Sequence, residues 1–144
     1  MGKDNKLLKN IDGVPLIRNI ALEITKSDLD SCSIVLGYQS DKVAEVIKDL
    51  DINLILNPLW EEGQASSLKA ALNTLDATYS DILIMLGDLP GIKSDHINRI
   101  IEEHLSSENR RSKITIPSFK GKKGNPVIWG RSFFHDLSNQ EGCL

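Results

Sequence analysis

The sequence predicts one doubly wound α/β domain, a mostly parallel sheet with helices on both faces. Three observations predict it. Short, continuously apolar runs read as strands buried on both sides. Stretches with apolar residues at helical spacing separate them. The two kinds alternate along the chain, the order that parallel strands joined by right-handed crossovers require. The 144 residues suffice for a real core, since a domain of about 150 residues buries roughly two-thirds of its unfolded surface. Residues 1–144 are read as a single domain, with no internal repeat or linker.

Asp12-Gly13 makes a turn, and Pro15 suits a first helical position. Leu16, Ile17, Ile20 and Ile24 then repeat at helical spacing. Ser33-Ile34-Val35-Leu36 is a buried strand ending in Gly37-Tyr38. Ser40 is read as the cap of a second helix, which buries Val43, Ala44, Val46, Ile47 and Leu50. Residues 52–56 form the next strand, stopped by Asn57-Pro58. A helix from about Ala65 carries Leu68, Ala71, Leu72 and Leu75. Residues 81–86 are the most apolar strand, closed by Gly87-Asp88-Leu89-Pro90. Ser94 is read as capping a helix that buries Ile97, Ile100, Ile101 and Leu105. Residues 113–117 and 127–129 supply the last two strands, joined by a turn rich in glycine and lysine at 120–125. A strand would normally precede the first helix, and none is legible there.

Composition narrows the function. With 40% hydrophobic and 26% charged residues, the chain is not disordered. The formal net charge of -3 and a short cluster at Lys120, Lys122 and Lys123 give no basic stripe for nucleic acid. No apolar run approaches the ~20 residues that span a bilayer, and the amino terminus lacks the apolar stretch of a signal peptide. Cys32 and Cys143 lie far apart without metal-ligand spacing. Cys32 is read as a core residue and Cys143 as exposed. A reducing cytoplasm is expected. His96 and His104, eight residues apart on one helix, are too far apart for one metal site and are expected to be exposed. Nothing supports a hydrolytic triad. Trp60 and Trp129 read as packing anchors.

In such sheets ligands sit beyond the carboxyl ends of the strands, so chemistry is sought there. Asp88 follows the most buried strand. A carboxylate there suits Mg²⁺, a hard cation that shares substrate phosphates; equally, Asp88 can be a turn former. Gly63 lets backbone approach a ligand. Ser66 and Ser67 put hydroxyls at a helix start, either as phosphate contacts or as ordinary caps. Lys6 can neutralise a triphosphate as a mobile charge or be a solvated surface residue. Gly121-Lys122-Lys123-Gly124-Asn125-Pro126 can receive an anionic second substrate or be a plain hairpin turn.

Taken in order, these segments resemble a known family, the nucleotidyltransferases that load molybdopterin, and most closely their cytidylyltransferase branch. The matching stretches are Asn5-Lys6-Leu7-Leu8, Asp12-Gly13-Val14-Pro15-Leu16, Val35-Leu36-Gly37-Tyr38, residues 57–63, Ala65-Ser66-Ser67-Leu68, Gly87-Asp88-Leu89-Pro90 and residues 124–130. The resemblance implies a Rossmann-like sheet of the nucleotide-diphospho-sugar-transferase type. It implies transfer of CMP from CTP to molybdopterin with release of pyrophosphate. It places Gly2 and Lys6 on the triphosphate, and Gly63, Ser66 and Ser67 near the nucleoside. Asp88 would hold Mg²⁺, with Lys6 and Asp88 as the catalytic pair. Gly124 and Asn125 would lie towards the acceptor. A molybdenum hydroxylase would receive the finished cofactor.

The sequence also departs from this family. Its members open with a strand reading Leu-Ala-Ala-Gly and a loop ending Arg-Met-Gly, of which Met1-Gly2 remain. A Gly-Asp-x-Gly-Ala-Arg stretch towards their other end is poorly matched by residues 140–144, where Glu141 is the only acid. The expectation is therefore a domain truncated at both ends, from a fragment or an internal start. A sheet lacking that strand would expose two ladder edges and tend to associate. Two alternatives stay open. One keeps the fold but uses GTP or a sugar-phosphate acceptor. The other is an accessory module that binds the cofactor or a partner enzyme without catalysis.

Overall fold

A computed structural model describes residues 4–139. A short 3-10 turn, Lys6–Leu8, precedes a hairpin of β1 (Asn10–Ile11) and β2 (Val14–Pro15). Asp12 and Gly13 join its arms with φ of 54° and 82°, the left-handed pair that a two-residue hairpin turn demands. There follow α1 (Leu16–Thr25), β3 (Ser33–Leu36), α2 (Ser40–Glu45), β4 (Asn53–Leu56), α3 (Gln64–Asn73), β5 (Asp81–Ile84) and α4 (Ser94–Leu105). The chain continues through β6 (Ile114–Thr115), β7 (Ser118–Phe119), β8 (Lys122–Lys123), β9 (Val127–Gly130) and α5 (Phe134–Ser138).

The fold is α/β, with helices on both faces. β3 and β4 pair in parallel, Ser33 opposite Asn53 and Leu36 opposite Leu56, with α2 in the crossover. Ile17 and Ala21 of α1, Leu36 of β3, and Val43 and Ile47 on or just after α2 form the core of one layer. Side chains alternate along a strand, and α3 packs on β3 and β4 from the other side, against α5.

β9 is the antiparallel member that a mostly parallel sheet allows. It does not extend a parallel sheet but runs antiparallel between β5 and β6, with Ile84 opposite Val127 and Thr115 opposite Ile128. The physical reason is the connection. A parallel return needs a crossover of a dozen or more residues, usually a helix. The stretch from β6 to β9 holds only the small β7–β8 hairpin. Two caps also shift. Gln39, in the left-handed region at φ 53°, caps α2, and Lys93 caps α4. Ser40 and Ser94 are already helical. Pro15 belongs to β2, and α1 starts at Leu16.

Among the described residues β3–β4 and β5–β9–β6 are separate sheets. A groove of about 700 Å³ separates β3 from β5 along their length. Ile17 and Ile20 line it on one side, and Leu68 and Ala71 on the other. Both strands therefore turn an open edge to the groove. Burial at its amino end pushes the Cys32 thiol up to about 11. Cys32 is half-buried and not a full core residue, and at neutral pH its thiol stays protonated and poorly nucleophilic.

His104 is a further correction. It is 1% exposed, not a surface residue. Its Nε2 lies 2.8 Å from Asp81 Oδ1 and its Nδ1 lies 2.7 Å from Thr115 Oγ1. Ser80 Oγ donates to the other Asp81 oxygen at 2.7 Å. This chain of polar groups ties α4 to β5 and β6. His104→Ala would take the buried Thr115 hydroxyl's partner away and remove one partner of the half-buried Asp81 carboxylate, which keeps Ser80 and Arg110. Such a loss costs about 1–3 kcal/mol, more where a charge is stranded. Chemical denaturation should show a stability loss of at least that size; an unchanged midpoint would mean the network contributes nothing.

Candidate active site

The site is built where the strands end. Gly37 follows β3, and the loop after β4 crosses directly over it. A Cβ at Gly37 would stand 2.6 Å from Cβ of Trp60, so only glycine admits this crossing. The Trp60 ring also meets that of Tyr38, with centroids 5.4 Å apart. Trp60 thus acts as a packing anchor that fixes the loop.

The amino-terminal turn closes over the same end. Asn5 Oδ1 accepts from the Leu7 N–H at 3.0 Å, and Asn5 Nδ2 reaches the Tyr38 carbonyl at 3.4 Å. Leu7 meets the position of Gly87, where a Cβ would lie 3.6 Å from its Cδ2. The Lys6–Leu8 turn therefore bridges the ends of β3 and β5, and carries the exposed Lys6 there.

Asp88 follows Gly87 after β5 and is exposed. Its carboxylate makes no hydrogen bond or ion pair among the described residues, so it is free to meet a ligand. No group of three or more His, Cys, Asp or Glu side chains that could hold a metal occurs among the described residues.

The loop after β4 supplies the third part. Asn57 is 2% exposed, and its N–H donates to the Leu36 carbonyl at 2.8 Å. Its side chain holds both serines of the α3 start: Nδ2 donates to Ser66 Oγ at 2.9 Å and to Ser67 Oγ at 3.0 Å. Gly63 caps α3 at φ 108° and ψ −179°, a region essentially confined to glycine. Of the first amides of α3, that of Ser66 donates back to the Gly63 carbonyl at 3.2 Å, and those of Gln64 and Ala65, as at any helix start, have no partner four residues back. The two serines differ. Ser66 Oγ lies 2.8 Å from both the Leu59 and the Gly63 carbonyls, so its proton is spent inside the loop. Ser67 lines the groove together with Gln64.

The hairpin after β6 lies at the same end, because Val127, which follows it, pairs with Ile84 at the end of β5. Lys120 and Gly121 form its turn at φ 50° and 80°. The Gly124 N–H donates to the Pro117 carbonyl at 2.8 Å, and Asn125 is half-buried beside it. Lys122 and Lys123 are exposed.

Of the residues singled out in the sequence, Lys6, Gly63, Ser67, Asp88, Gly124 and Asn125 thus lie at one end of the strands. Ser66 is turned into its loop. Gly2 falls outside the described residues. Sequence reading missed the organising roles of Asn5 and Asn57. Each had a signal in hindsight: a side-chain amide directly ahead of a turn or just after a strand, where it can bond nearby backbone.

The chain matches the MobA-like NTP transferase domain family over residues 1–143 and belongs to it. The fold is that of a nucleotidyltransferase domain. The bifunctional protein GlmU of Staphylococcus saprophyticus is 28% identical over 144 residues, which cover 99% of this chain and 29% of that protein. The chain thus spans less than a third of the length of that relative. Among solved structures, a homologue of Mycobacterium tuberculosis Rv0371c from Mycobacterium sp. strain JC1 is 25% identical with a TM-score of 0.81, over 96% of this chain and 68% of that one. A nucleotidyl transferase from Methanothermobacter is 22% identical with a TM-score of 0.79, over 95% and 64%. Rv0371c from Mycobacterium tuberculosis in complex with manganese is 22% identical with a TM-score of 0.72, over 98% and 72%. Among the described residues no helix is long and apolar enough to cross a membrane.

Proposed function

We propose that this domain transfers CMP from CTP to molybdopterin and releases pyrophosphate. The observation that carries the reading is the meeting of three features at one end of the strands. These are the free carboxylate of Asp88, the Lys6 turn braced on Gly87, and the α3 start with Ser67 on the groove. The family supports the nucleotidyl transfer; the sequence resemblance supports the cytidine and the molybdopterin.

In this reading an oxygen of the terminal phosphate of molybdopterin attacks the α-phosphorus of CTP. A P–O bond forms there, and the bond to the bridging oxygen breaks as pyrophosphate leaves. Such chemistry depends on positioning and charge neutralisation more than on a strong base. The Lys6 ammonium neutralises the triphosphate. The amides of the α3 start and the Ser67 hydroxyl donate to the nucleotide. Gly63 allows the close approach. Gly124 and Asn125 face the acceptor, with Lys122 and Lys123 attracting its phosphate.

Asp88 fits a divalent ion. Mg²⁺ characteristically takes one or two carboxylates and completes its shell with water and substrate phosphates, which agrees with the single exposed carboxylate of Asp88 just past β5. When bound, the ion supplies neutralisation of the charge that develops on the leaving pyrophosphate.

Pyrophosphate release by the protein, with Mg²⁺ and molybdopterin, should be supported by CTP in preference to GTP. Release with GTP alone, or only with a sugar phosphate as acceptor, would replace the cytidylyl reading while leaving the transferase. Release with no combination would remove it.

A further inference from the structure

We infer that Asn57 is a positioning residue that fixes the direction of the Ser67 hydroxyl, so that Ser67 meets the nucleotide as a hydrogen-bond donor only. This rests on the nucleotidyl-transfer reading above. The orientation of the Asn57 amide is determined by its partners. Oδ1 accepts from the Leu59 N–H at 3.0 Å, so the two protons of Nδ2 face Ser66 and Ser67. At 2% exposure the amide has no water to exchange with.

The consequence differs for the two serines. Ser66 accepts from Asn57 and passes its own proton to a loop carbonyl. Ser67 accepts from Asn57 and makes no other side-chain hydrogen bond among the described residues. Its proton cannot turn back towards an amide that is itself donating. It is left for an acceptor in the groove that Ser67 lines. A phosphate or base oxygen is such an acceptor; an N–H or ammonium group is not. Asn57 therefore selects for ligand oxygens without touching the ligand.

Asn57→Asp reverses this polarity at almost constant shape. The carboxylate accepts from both serines, draws the Ser67 proton inward, and presents oxygen lone pairs to the groove. Equilibrium binding of CTP and of GTP, each with Mg²⁺, should weaken by about tenfold, the size of one lost hydrogen bond to a charged acceptor. Ser67→Ala should lose a similar amount. The double variant should be no worse than Ser67→Ala, because the effect of Asn57 passes through that hydroxyl. Fully additive losses, or wild-type affinity in Asn57→Asp, would overturn the assignment. So would wild-type affinity in Ser67→Ala, a result that stands even if Asn57→Asp does not fold. A wild-type protein that binds neither nucleotide would overturn the nucleotidyl reading itself, and this assignment with it.

Discussion

Replacing Asp88 by alanine is expected to lower nucleotidyl transfer by at least about 100-fold, the scale of losing one group that stabilises transition-state charge. The prediction follows from position and from isolation. Asp88 lies just beyond the end of β5, next to Gly87, on which Leu7 of the lysine-bearing turn rests. Its carboxylate is exposed and bonded to nothing else among the described residues. The same isolation separates function from folding. Exposed substitutions away from structural contacts change stability by about 0.5 kcal/mol or less. Thermal unfolding should therefore be unchanged while pyrophosphate release falls. If Asp88→Ala keeps its activity, Asp88 is a turn former and the metal is held elsewhere. If activity and unfolding temperature fall together, the residue is structural.

The second large effect concerns Gly130, at the end of β9. Its backbone, at φ −69° and ψ 160°, is open to any residue, so conformational freedom is not its role. Space is. A Cβ there would run into the carbonyl oxygens of Arg110 and Arg111, both backbone atoms. The Arg110–Ser112 turn lies flat on this glycine, and the Gly130 N–H donates to the Lys113 carbonyl at 2.9 Å. Neither side can yield by rotating a side chain. Inserting even a methyl group into a close-packed contact costs about 1–3 kcal/mol, and more when backbone must move. Native stabilities are only about 5–15 kcal/mol. Gly130→Ala should therefore show a large drop in unfolding midpoint. A drop no larger than that of a surface alanine would mean the turn shifts freely.

The layered fold was legible because its signals are local. Val43 on α2 and Ile47 in the turn just after it gave that segment its buried side, and the continuously apolar β3 and β5 stood out at once. Asp12-Gly13 and the glycine at 121 were legible as turns through the conformations those residues accept, but strands of two residues, such as Asn10–Ile11 and Val14–Pro15, carry no periodicity to read. The direction of β9 stayed open because apolar content says nothing about orientation; the absence of a helix between Thr115 and Val127 did carry that information. The burial of His104 could also have been read. It stands seven residues beyond Ile97 and four beyond Ile100, on the apolar stripe of α4. A polar residue on such a stripe requires a buried partner, and Asp81 and Thr115 come from distant strands that helical spacing alone does not identify. The glycines of the site were visible as a pattern, but their reasons are spatial. Trp60 over Gly37 and Leu7 over Gly87 are contacts between remote segments. Likewise, two adjacent serines look equivalent in sequence. Only the three-dimensional placement of Asn57, Leu59 and Gly63 spends one hydroxyl and leaves the other on the groove.

The proposed transfer requires attack in this crevice at the α-phosphorus of a nucleoside triphosphate. It is tested most directly by supplying CTP labelled at the α-phosphate, with Mg²⁺ and molybdopterin, and following the label. The label should appear on molybdopterin in step with unlabelled pyrophosphate. Label left in CDP after transfer of the γ-phosphate, or left in unreacted CTP, would overturn it.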